Sequence, residues 1–146
     1  MKKTTYTSPQ DAEAAFYEAL AAGNLDAMMD VWAEDEELVC VHPGGHRLVG
    51  FDQVRASWAE MMGSGQRLQV RISDLVYIQS MMLSVHSLHE IISAPGQARG
   101  QAVAAINVYF RTGTGWRMVA HHASPVPQVR ERQQIEPPEA NPKILH

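Results

Sequence analysis

The chain has 146 residues, 45% of them hydrophobic and 19% charged, with one cysteine and seven histidines. That length suits a single domain, the hydrophobic share excludes wholesale disorder, and the lone Cys40 excludes an internal disulfide. A formal charge of −4 without a basic cluster argues against nucleic-acid binding, and no apolar run is long enough to span a membrane. Met1 to Gln10 lacks the apolar core of a secretory signal, so the expected location is cytoplasmic.

The first third reads as helical. Ser8 can cap a helix whose first turn holds Pro9 and Asp11, and Ala12, Ala15, Phe16, Ala19 and Leu20 form its apolar stripe. Gly23 stops it, Asn24 caps a second helix, and Leu25, Met28, Met29 and Trp32 follow at i, i+3, i+4, i+7 spacing. A short strand from Leu38 to His42 ends at Pro43-Gly44-Gly45. A third helix from Phe51 to Met62 should bury Phe51, Val54, Trp58, Met61 and Met62.

From Gln66 the period changes to two. Leu68, Val70 and Ile72 alternate with polar residues, and the phase slips near Ser73-Asp74, which predicts a bulge or sharp bend. Strands follow at about Met81–Ser93, Gln101–Arg111 and Trp116–Ser124, separated by Pro/Gly and Gly/Thr turns. Helices followed by a strand meander predict an α+β fold, with three N-terminal helices on one side of a curved antiparallel sheet. The domain is placed at 8–127, after a lead at 1–7 and before a Pro-rich tail at 128–146.

Pairing the last two strands through the Gly113-Thr114 turn sets Tyr109 opposite Met118, Asn107 opposite Ala120 and Ala105 opposite His122. One face then carries Val103, Ala105, Asn107, Tyr109, Trp116, Met118, His122 and Ser124. His121 falls on the other, with Ile106, Val108 and Phe110. Both faces are apolar, and the helices can cover only one. The outer face is therefore expected to be buried against a second copy of the chain.

Cys40-Val41-His42-Pro43, Leu48-Val49-Gly50 leading into a helix with Trp58, Gly115-Trp116-Arg117-Met118-Val119 and His122-Ala123-Ser124 together resemble the nuclear transport factor 2-like superfamily, particularly its SnoaL-like branch. The ending is also similar to the association domain of calcium/calmodulin-dependent protein kinase II. The resemblance spans roughly residues 8–127 and implies a cone-shaped fold enclosing a pocket, usually in a homodimer. It leaves the chemistry open, since the superfamily holds cyclases, isomerases, dehydratases and oligomerisation modules. The carboxylate base of the ketosteroid isomerases has no match on the last two strands. Asn107 and His89 stand where the kinase domain would have pocket arginines.

His122 is the candidate acid/base, because an imidazole can exchange a proton near neutral pH. The alternative is a histidine hydrogen-bonded within the core. His42, at a strand end, is a rim candidate, and His89 is placed inward over His86 because it shares parity with Leu83, Val85 and Ile91. Asn107 and Tyr109 could orient a ligand oxygen, with Trp32, Trp58 and Met62 as an apolar wall. No metal and no cofactor are expected: His42, His89 and His122 could converge on an ion, but no carboxylate or spaced pair supports them. The expected ligand is a small hydrophobic, oxygen-bearing molecule. The alternative function is a non-catalytic binding or oligomerisation module.

Overall fold

A computed structural model describes residues 3–65, 67–97 and 99–127. Its elements run α1 (Pro9–Ala22), α2 (Leu25–Val31), β1 (Val39–Val41), β2 (Leu48–Val49), α3 (Phe51–Gly63), β3 (Gln69–Gln79), β4 (Leu83–Ser93), β5 (Gln101–Thr112) and β6 (Gly115–Pro125). The tail expected at 128–146 lies outside the described residues. No described helix is long and apolar enough to cross a membrane.

Local chemistry accounts for the helix ends. The Ser8 hydroxyl accepts the Asp11 N–H, and the Asn24 side chain accepts the Ala27 N–H. Gly23 takes a left-handed φ of 65° and closes α1 by donating to the Ala19 and Leu20 carbonyls. Arg67 packs within 3 Å of where a Cβ would stand there, so a larger residue would be strained and crowded.

The six strands form one curled sheet in the order β2-β1-β6-β5-β4-β3. It is mixed rather than wholly antiparallel, because β1 runs parallel to β6 while the remaining pairs are antiparallel. The slip read near Ser73-Asp74 is a real irregularity: pairing with β4 shifts between Ser73 and Val76, and Asp74 has a φ of 56°.

A second shift, between Val108 and Tyr109, corrects the expected faces. The turn is the expected two-residue one, with Thr112 opposite Gly115, and Tyr109 does face Met118. Beyond that pair Val119 is an extra residue on β6. Asn107 therefore faces His121 and Ala105 faces Ala123. The bulge sits where β6 changes its other neighbour. Met118 bridges to Trp32 and accepts the Ala33 N–H, whereas Ala120 to His122 pair with β1.

The helices cover the concave face. Phe16, Met28, Trp32, Leu38, Cys40, Val54, Trp58, Tyr109 and Met118 share one buried cluster. Each of its largest apolar side chains contributes about 1.5–3 kcal/mol on full burial. Met61, expected in the core, is 37% exposed, while Met62 packs against it. The convex face leaves Val76, Ile78, Leu83, Ile106 and Phe110 exposed.

The N-terminal lead is tied down by a buried arginine. Arg117 donates to the carbonyls of Asp30 (2.6 Å), Thr114 (3.0 Å) and Thr4, and lies over the Tyr6 ring. Lys3 caps α2 by donating to the Trp32 and Met29 carbonyls.

Candidate functional site

Strand alternation aims Ser84, His86, Leu88 and Glu90 of β4, Asn107 and Tyr109 of β5, and His121 of β6 into the space beneath α1. Glu13 and Tyr17, one turn apart on α1, come down onto the same space. The interior is thus lined by polar groups that must find partners among themselves.

They form two hydrogen-bonded chains. In the first, His121 Nδ1 donates to Asn107 Oδ1 (2.6 Å), Asn107 Nδ2 donates to the Tyr17 hydroxyl (2.9 Å), and Tyr17 donates to Glu90 Oε2 (2.6 Å). Because the Asn107 amide donates to Tyr17, its oxygen must be the end facing His121. His121 then carries its proton on Nδ1 and leaves Nε2 as an acceptor. Burial, helped by like-charge repulsion from His42 and His122, lowers the His121 pKa from 6.5 to about 3, so the ring is neutral. Burial holds Glu90 above the usual carboxylate range, with the Tyr17 hydrogen bond opposing the shift. Burial beside the Glu90 charge raises Tyr17 far above an ordinary phenol.

In the second chain, Ser84 Oγ lies 2.9 Å from His86 Nε2, and His86 Nδ1 lies 2.9 Å from Glu13 Oε2. The other Glu13 oxygen accepts from the Tyr77 hydroxyl at 3.2 Å. Ser84, His86 and Glu13 are all buried.

Three buried donors near these chains or in the adjoining core lack acceptors. The Tyr109 hydroxyl lies beside Asn107 without a hydrogen bond of good geometry, and Trp32 Nε1 and Trp58 Nε1 are likewise unpaired. Such orphans are rare in folded interiors. Trp58 adjoins the first chain, with ring centroids 6.1 Å from His121 and 4.6 Å from His42. Half-buried His42 hydrogen-bonds the Ser57 hydroxyl at 2.9 Å through Nε2. Since Ser57 itself donates to the Val54 carbonyl, it accepts from His42. Burial lowers the His42 pKa and pushes the Cys40 thiol up to about 12, leaving that thiol inert.

The structure therefore brings together His42, Trp58, Asn107 and Tyr109, with Trp32 and Met62 in the adjoining core. It does not bring in His122 or His89. The Val119 bulge turns exposed His122 to the convex face and sends His121 inward in its place. His89 also faces outward, bonded to Asp74 at the β3 bulge, and His86 takes the interior. Dispersed in this way, His42, His89 and His122 do not converge. No described group of three His, Cys, Asp or Glu side chains is placed to hold a metal ion.

Sequence reasoning missed His86, His121, Glu13, Tyr17 and Glu90. A weak signal existed for Glu13 and Tyr17, an i, i+4 pair flanking the Ala12/Phe16 stripe. Glu90 shares the parity of Ser84, His86 and Leu88. That alternation was outvoted by Leu83, Val85 and Ile91, which cover the other face.

Comparison with known proteins agrees with this architecture. The SnoaL-like domain model matches residues 10–128. A structure from Thiobacillus denitrificans, provisionally described as a calcium/calmodulin-dependent protein kinase type II association domain, is 36% identical, with a TM-score of 0.81 over 86% of this chain and 100% of that one. A provisional dehydratase of the nuclear transport factor 2-like family from Streptomyces avermitilis is 32% identical, with a TM-score of 0.73 over 80% of this chain and 92% of that one. A cystatin-like protein of unknown function from Nostoc punctiforme, at 11% identity and a TM-score of 0.66 over 86% of this chain and 98% of that one, shares the fold alone. No curated protein matches the chain. With most of its length matched by the family model, the chain belongs to the SnoaL-like domain family, within the nuclear transport factor 2-like proteins.

Proposed function

We propose that the chain binds a small, uncharged, largely apolar molecule in its concave interior through an oxygen that accepts hydrogen bonds. The single observation that carries this reading is the set of unpaired buried donors, Tyr109 Oη and Trp58 Nε1, beside the Glu90–Tyr17–Asn107–His121 chain. A ketone or aldehyde oxygen would satisfy them while the aromatic wall buries its hydrocarbon part.

Charge selects the ligand further. Glu13 and Glu90 line the interior, burial keeps His121 neutral, and burial also lowers the His42 pKa. Arg117 is the only Lys or Arg among the buried described residues, and both its terminal nitrogens are committed to backbone carbonyls. An anionic ligand would have to be buried beside Glu13 and Glu90.

Binding comes first in this reading, and proton transfer would be its extension. His121 Nε2 is the acceptor and the Tyr109 hydroxyl the donor for an enolisable ligand. The relative named a dehydratase makes such chemistry a natural class to test. His122, on the convex face, is not the group assigned this role.

The convex face supports a homodimer, because Val76, Ile78, Ile106 and Phe110 form an exposed apolar surface on β3 and β5. The resemblance to a protein described as an association domain points the same way.

Thermal-shift titration with acetophenone and with benzoate tests the ligand class. Acetophenone should stabilise the wild type, and Tyr109→Phe should reduce that stabilisation without unfolding the protein. Stabilisation by benzoate alone, or by neither probe, contradicts the reading.

A further inference from the structure

We propose that Ser84, His86 and Glu13 form a second reactive centre, in which Ser84 takes an acyl group from a small uncharged ester. The inference uses none of the residues assigned above to the ligand oxygen and does not depend on that assignment.

The geometry is that of a nucleophile, a base and an orienting acid in series. Ser84 Oγ and His86 Nε2 are 2.9 Å apart, and His86 Nδ1 and Glu13 Oε2 are also 2.9 Å apart. Two features make the arrangement directional. Ser84 and His86 lie two residues apart on β4, so the pleat holds both on one face. Tyr77 donates to the second Glu13 oxygen, which leaves the first facing the imidazole. Glu13 thereby favours the tautomer with the proton on Nδ1, and Nε2 is left to receive the proton of the serine hydroxyl. The other acceptor near that hydroxyl, Gln79 Oε1, is at 3.5 Å and competes poorly.

The reaction balances without a further reagent. Ser84 Oγ attacks the ester carbonyl carbon, and the hydroxyl proton passes to His86 Nε2. The tetrahedral species then collapses, breaking the bond to the leaving oxygen, which departs with that proton. The products are an acyl-serine and a free alcohol. Water attacking with His86 as base would release the acid and restore Ser84.

Burial and strand pairing set the rate. Ser84 is fully buried, but its cover is made of side chains. Gln79 is hydrogen-bonded to Gln10 at 3.2 Å, and Tyr77, 41% exposed, lies against the His86 ring with centroids 4.1 Å apart. β4 is paired on both sides at Ser84, with Gln79 and with Tyr109, so the ladder claims the backbone N–H that an oxyanion would need. Acylation should therefore be slow and should stop near one equivalent, with little turnover. An uncharged acyl donor is favoured because Glu13 is the nearest charge.

The test is incubation of the full chain with p-nitrophenyl acetate, followed by intact-mass measurement and peptide mapping. One acetyl group should accumulate on Ser84, faster in Gln79→Ala, which clears the side chain 3.5 Å from the Ser84 hydroxyl and leaves Tyr77 in place on Glu13. It should accumulate roughly a hundredfold more slowly in His86→Asn, which lacks the base. Should His86→Asn fail to fold by circular dichroism, the wild-type rate against pH decides: it must rise with deprotonation of a single group and flatten above it. Absence of Ser84 acetylation in both the wild type and Gln79→Ala overturns the proposal. So does equal labelling of a folded His86→Asn, or a pH-independent rate. Acetyl groups found only on lysines or tyrosines also count against it.

Discussion

His121 makes the interior chain sensitive to acid, and replacing it by glutamine exposes how much. Its pKa falls from 6.5 to about 3 on burial, so the folded state is stabilised by the neutral ring. For a base with a depressed folded pKa, that stability is fully present above 6.5 and is lost as pH falls toward 3. Between about pH 7.5 and about pH 5 the unfolded ring gains most of a proton that the folded ring refuses. At about 1.4 kcal/mol per pKa unit this removes about 2 kcal/mol from the wild type. His121→Gln keeps a donor for Asn107 and does not titrate. Glu90 and His42 titrate in both proteins and cancel in the difference. Urea unfolding of the two proteins at both pH values, at equal protein concentration, should show the wild type losing about 2 kcal/mol more than the variant. Parallel losses would refute the buried, neutral assignment. So would an imidazole resonance of His121 that titrates near its ordinary value.

Other outcomes follow from the same contacts. Asn107→Leu removes the bonds to Tyr17 and His121 and strands a buried imidazole N–H, so urea unfolding should report a loss of about 2–4 kcal/mol. A loss under about 1 kcal/mol would mean that the chain carries no stability. Phe110→Asp places a charge among Val108, Ile106 and Leu83 on the convex face. Sedimentation should find a wild-type dimer and a folded monomeric variant, and an unchanged dimer contradicts the assigned interface. Arg117→Ala releases one carbonyl each of the lead, α2 and the β5–β6 turn, and should cost roughly 3 kcal/mol. Hydrogen exchange at Trp116 N–H, which donates to Tyr6, should rise with it; unchanged protection would place the lead's anchorage elsewhere.

Where the chain marks its own geometry, the sequence is readable. Ser8, Gly23 and Asn24 announce helix ends because their side chains or left-handed backbone are the caps themselves. The β3 bulge is readable because alternation breaks visibly at Ser73-Asp74. The β6 bulge is not, since Val119-Ala120 carries no Gly, Pro or break in hydrophobicity, and one unmarked residue exchanges His121 for His122. The same ambiguity misplaces His89: Leu83, Val85 and Ile91 are as apolar as a core row, although they face outward. With both faces of the sheet apolar, hydrophobicity cannot choose between them. Only the polar row Ser84-His86-Glu90, which helix α1 completes with Glu13 and Tyr17, identifies the inside. Asn107 and Tyr109 keep the expected face because they lie on β5, whose alternation the β6 bulge does not shift.

Unpaired donors in the interior are proposed to receive a ligand oxygen. The indole N–H resonances of Trp58 and Trp116, followed by two-dimensional NMR during an acetophenone titration, test it most directly. Both rings are buried, and Trp58 Nε1 is a fully buried donor without a hydrogen-bond partner on a ring 6.1 Å from that of His121. The Trp58 indole N–H should shift downfield and saturate, with Trp116 nearly unmoved. A static Trp58 resonance, or a shift confined to Trp116, would contradict it.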